Sequence, residues 1–148
     1  MKCALAIILS LSIGCVVLSN AAAEQESLSV TDAWIRLAPP GSSVNAAYMH
    51  LHNPSSSARI ISAVSADCCM EVMMHQSRQV GDKIFMEHLD SLEIPPQSEL
   101  MLTPGGVHLM LFDAQAPLGL SDEVKITLVF SDNQKQILRV PVKRSADD

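Results

Sequence analysis

EVKITLVFSDNQKQILRVPVK, residues Glu123 to Lys143, alternates apolar and polar side chains on both sides of the turn cluster SDNQ. A period of two belongs to strands with one buried face, because successive side chains of a strand point to opposite sides. The segment is a hairpin, and no long stretch of the chain shows the helical period. Working outward, the same texture recurs in short runs separated by turn clusters. LSVTDAWIRLA is stopped by PPGSS, and NAAYMHLHN by PSSSA; RIISAVSA follows. MEVMMHQS and KIFMEHL flank RQVGD, a hairpin candidate centred on Gly81. SLEIPPQSELMLTPGGVHLMLF reads as two further strands with a turn at TPGG. The pattern is that of a single all-β domain, an antiparallel sandwich or barrel. The closing RSADD is expected to be a mobile tail.

The N-terminus says where the protein works. Lys2 precedes the apolar run CALAIILSLSIGCVVLS and the small-residue exit NAAAEQ, the three parts of a secretory signal peptide. Cleavage is expected after Ala23, leaving residues 24–148 as the exported domain, placed in the periplasm with no lasting membrane insertion. The apolar run is short for a membrane span. A lipoprotein reading at Cys15 is weakened by Ser12, which stands where a Leu-like residue is expected. Export removes Cys3 and Cys15, so Cys68 and Cys69 alone remain and no disulfide scaffold is available. The exported chain carries nine basic and sixteen acidic residues, a net charge of −7. That balance argues against nucleic acid as a partner and is compatible with attracting a cation.

PGGVHLML, residues Pro104 to Leu111, raises the chemical question. His108 and Met110 are two apart in a strand and share one face. A hairpin turning about Val80-Gly81 sets His75 opposite Met86, within reach of one ion. Two imidazoles and two thioethers are neutral, soft donors that suit Cu(I). Zn²⁺ prefers thiolate, imidazole or carboxylate, and Ca²⁺ or Mg²⁺ needs oxygen.

The spacing His75-x10-Met86-x21-His108-x-Met110 resembles the signature of the periplasmic PCu(A)C copper chaperones. DAWIRLAPPGSSVNAAYMHLHN and SLEIPPQSELMLTPGGVHLML resemble that family's opening strands and the segment entering its His-x-Met strand. The resemblance implies a cupredoxin-like antiparallel β-sandwich of Greek-key type. It implies His75, Met86, His108 and Met110 as ligands of one Cu(I) per chain. It further implies a monomeric carrier, not an enzyme, that delivers copper to the CuA-type centre of cytochrome c oxidase or to a Sco-type assembly protein. A blue-copper electron carrier or a general copper-tolerance protein is the alternative. The blue-copper site needs a cysteine thiolate, and none stands near the His-x-Met strand.

Other residues fit less neatly. Met74 is expected in the core, and Met73 shares the face of His75. His88 is expected to face solvent or to support the site from behind. His50 and His52 form a same-face pair read as lacking a soft donor, hence a solvated face. Cys68-Cys69 admits three readings: buried small residues, an intermolecular disulfide, or a thiolate copper site. A bond between the two is disfavoured by ring strain. KRSADD has neither Met nor His, so no second copper site is expected in the tail.

Overall fold

The structure, a computed structural model, describes residues 27–39 and 41–148. The expected signal peptide and its cleavage point lie outside the described residues. Ten strands account for the described fold: β1 Ser29–Arg36, β2 Asn45–His52, β3 Arg59–Ala66, β4 Cys69–Val80, β5 Lys83–Leu89, β6 Leu92–Ile94, β7 Glu99–Leu102, β8 Val107–Ala114, β9 Glu123–Phe130 and β10 Lys135–Lys143. They run in the order β5-β4-β8-β7-β2-β1-β10-β9-β3-β6. The pairings are antiparallel except for two short parallel ones, β1 with β10 and β7 with β8.

The alternation in the last hairpin is what builds the core. Val124, Ile126, Leu128 and Phe130 from β9, with Val140 and Val142 from β10, are all buried. From the other half come Ala47, Met49 and Leu51 of β2, Met74 of β4, and Leu109 and Leu111 of β8. One apolar cluster therefore joins both halves, which fits a sandwich rather than an open barrel.

The segment SLEIPPQSELMLTPGGVHLMLF gives three strands instead of the expected two. Pro95 and Pro96 are the cause: proline donates no ladder hydrogen bond and so splits the run. Leu92–Ile94 pairs with β3 in one half, while Glu99–Leu102 crosses to β2 in the other. In β1 the register to β2 shifts between Thr31 and Trp34, with Asp32 at φ +50°. This bulge sets Trp34 opposite Tyr48. At the C-terminus, the Asp148 carboxylate accepts hydrogen bonds from the Arg144 and Ser145 amides and closes a turn.

Candidate metal centre

The centre lies on the face of the β5-β4-β8 half that points away from the core. β4 and β8 pair so that His75 opposes His108 and Met73 opposes Met110. The odd-numbered side chains of β4 and the even-numbered ones of β8 thus share a face, while Met74, Leu109 and Leu111 point into the core. His75 Nδ1 and Met110 Sδ lie 2.7 Å apart, so one imidazole nitrogen and one thioether already meet. Metal–nitrogen and metal–sulfur bonds of about 2.0 and 2.3 Å at a tetrahedral angle would part these atoms to about 3.5 Å. An ion bound between them would replace their contact, a movement of about one ångström shared by two side chains.

His108 is held more firmly. It is buried despite its place on the outer face, at 5% exposure, between Tyr48 at 6.4 Å and His75 at 6.2 Å between ring centroids. Its Nδ1 lies 2.9 Å from the Gly106 carbonyl oxygen. A carbonyl can only accept, so the ring hydrogen sits on Nδ1 and the lone pair of Nε2 is left to bind. The same carbonyl accepts from the Ser77 amide at 3.0 Å. The TPGG turn is thus a clamp that aims a histidine. Its geometry needs Gly105 at φ +80°, a region costly for any residue with a Cβ. Nothing lies within 4 Å of a Cβ added there, so Gly105→Ala tests backbone strain alone. We expect that substitution to lower stability by about 1 kcal/mol. It should also loosen the His108 tautomer preference, read from ring ¹⁵N shifts; an unchanged melt and unchanged shifts would mean the turn does not position the ring.

Electrostatics keep the site ready for a cation. Partial burial, followed by the nearby His108 and His88 rings, holds the His75 imidazole below the ordinary histidine range. The neutral, ligating form is therefore favoured at neutral pH. Tyr48 is buried beside His108, and Phe112 stands 6.4 Å from the His75 ring, so the floor of the site is apolar. Among the described residues no three His, Cys, Asp or Glu side chains converge as a metal-holding group. The donors that do meet are imidazole and thioether, which discriminates against hard ions.

Met86 is placed differently from the sequence expectation. The hairpin turns at Gly81-Asp82, with Val80 opposite Lys83, rather than about Val80-Gly81. A turn moved by one residue moves every cross-strand partner by two. His88 therefore opposes His75, and Met86 opposes Ser77. Met86 stays on the same face but diagonal to His75, 61% exposed on the sheet's edge strand. The side chain of a diagonal residue can still reach across roughly 7–8 Å.

The remaining candidates separate cleanly. Cys68 and Cys69 are joined by a disulfide, the pairing the sequence reading disfavoured, where a turn at Asp67-Cys68 bends the chain into β4. Cys69 lies six residues up the strand from His75, at the start of β4. His50 pairs with Asp32 at 3.5 Å on an exposed face. Met101 is its cross-strand partner in β7, so a soft donor does accompany that face, contrary to expectation. Pairing between β2 and β7 was invisible along the chain.

The family model "LpqE-like: Putative lipoprotein LpqE-like" matches residues 28–142. The chain belongs to the LpqE-like family. It is 32% identical over 144 residues to "Putative lipoprotein Lxx21020" of Leifsonia xyli subsp. xyli, covering 93% of this chain and 85% of that protein. Among solved structures, Cu(I)-bound DR1885 of Deinococcus radiodurans is 26% identical, with a TM-score of 0.66 over 84% of each chain. The copper-bound PCuAC domain of PmoF2 aligns with a TM-score of 0.67 at 20% identity, over 80% of this chain and 93% of that domain. The LpqE-like chain thus has the cupredoxin-like fold of PCuAC domains.

Proposed function

We propose that this LpqE-like protein carries Cu(I) outside the cytoplasm, binding one ion through His75, His108, Met110 and Met86. The observation that carries the reading is the meeting of His75 Nδ1 with Met110 Sδ beside a pre-aimed His108. Such a neutral set suits a soft monovalent ion and leaves a single charge to solvate. The likeness to PCuAC domains solved with copper supports it.

The four donors are unequal, which suits a carrier. His108 is buried and fixed by a backbone carbonyl, whereas Met86 is exposed on an unpaired edge. Release starts with Met86. A donor from the recipient takes its place, and the remaining thioether and the imidazoles follow by exchange. Thioethers leave without taking up protons, so transfer is not tied to pH at that step. The recipient in this proposal is the CuA-type centre of cytochrome c oxidase, reached directly or through a Sco-type thiol protein. A blue-copper role is disfavoured, since no cysteine of the described residues opposes the His-Met set and Cys68 is bonded to Cys69.

Titration under ascorbate against a Cu(I) chelator should show one tight equivalent, and an apo CuA-type subunit should withdraw it. Met86→Ala should weaken binding by about tenfold and speed transfer, as the loss of one exposed thioether. No tight equivalent in the native chain would end the carrier reading. Export is proposed with cleavage after Ala23. The family's lipoprotein description favours a second reading, lipid attachment at Cys15, and the intact mass of the exported protein decides between them.

A further inference from the structure

The register places a third imidazole against the site. His88 of β5 opposes His75 directly, their rings 5.6 Å apart and edge to face. His108 stands on the other side of His75, with rings 6.2 Å apart. Three histidines from three adjacent strands therefore stand in one row across a single face. Metal–nitrogen bonds of about 2.0 Å would place the ring centres of two imidazoles on one copper about 4.5 Å apart at right angles and about 6.3 Å apart in line. Both neighbouring separations fall inside that span, while His88 and His108 flank His75 from strands on opposite sides of β4. The rings stand side by side rather than converging, so His88 must lean over His75 to share an ion. Its side chain is 52% exposed, on a strand with a free edge, and has the room to do so.

We infer that His88 is a copper ligand specific to the cupric state, so that one face holds copper through two overlapping donor sets. The inference rests on the copper-carrier reading of this site. Cu(I) takes the thioethers of Met110 and Met86 with His75 and His108. Cu(II) is harder, prefers nitrogen and oxygen donors in tetragonal geometry, and takes His75, His108 and His88. The second positive charge is also better placed there. The Asp90 carboxylate lies 3.6 Å from His88 Nε2 and contributes negative charge on that side. Met86 and His88 are two apart on β5, so the same strand presents a thioether and an imidazole to one ion.

The test loads the exported chain separately with cupric sulfate and with Cu(I) under ascorbate. In the native protein, pulsed electron paramagnetic resonance should count three imidazoles on Cu(II). In His88→Ala it should count two, and chelator competition should show Cu(II) affinity lower by about tenfold or more. Cu(I) affinity of the same variant should stay within about threefold of native. Met86→Ala should show the reverse pattern, weaker Cu(I) and unchanged Cu(II). An unaltered imidazole count and Cu(II) affinity in His88→Ala, with Cu(I) binding intact in the native chain, would overturn this inference alone. A native chain without tight Cu(I) binding would overturn the carrier reading beneath it.

Discussion

His108→Gln should reduce Cu(I) affinity on the order of a thousandfold while leaving the sandwich folded. Removing only the partner that orients a metal-bound histidine typically costs 10- to 100-fold, and here the ligand itself goes. His108 is the donor with the least freedom, being buried beneath Tyr48 and His75 with its Nδ1 hydrogen committed to the Gly106 carbonyl. Little entropy is lost when it binds, so most of its bond energy reaches the affinity. Glutamine fills similar space and can still donate to that carbonyl, which keeps the fold, but its amide oxygen is a poor donor for a soft ion. Met110→Ala should cost less, because a thioether is the weaker bond and the residue is only half-buried. Chelator competition measures both. A loss below tenfold for His108→Gln, with an unchanged melt, would remove His108 from the ligand set.

Copper affinity should be flat above about pH 7.5 and fall steeply in acid. Imidazole binds metal only when neutral, and thioether does not titrate. Unperturbed histidine loses its proton near pH 6.5. Burial and the neighbouring His108 and His88 hold His75 below that value, so proton competition at His75 begins later in acid than at an isolated histidine. Where both histidines must shed protons, the fall approaches about two decades per pH unit. The sign also applies to the apo fold. A histidine whose folded pKa is depressed adds stability above its unfolded pKa, and that stability is lost as pH drops through the folded one. Apo protein should therefore melt earlier below about pH 6.5, and copper should raise the melting temperature above that pH, where it binds. A site made of reduced Cys68 and Cys69 would behave otherwise, its affinity still rising between about pH 7 and 8 as the thiols ionise. Dissociation constants from pH 5 to 9 separate the two. A continued rise above about pH 7.5 would sink the His75 and His108 assignment.

The all-β class, the core hairpin and the face that His108 shares with Met110 were legible along the chain for one reason. The period of two is a local property of a strand, so Val124 to Phe130 declare a buried face and His108 with Met110 declare a shared one. Turn chemistry is nearly as local, and Gly105 at φ +80° is what TPGG announces. Cross-strand register is not local. A turn at Gly81-Asp82 instead of Val80-Gly81 leaves every residue on its expected face, yet exchanges Met86 for His88 opposite His75. The Pro95-Pro96 break sent one expected strand into two halves of the sandwich, and the bulge at Asp32 put Trp34 over Tyr48 at 4.9 Å. The sequence by itself determined which side chains could share a face, because alternation is set by covalent geometry. Only the tertiary structure decided which of them meet and how deeply His108 is buried, because those depend on pairings between strands far apart in the chain.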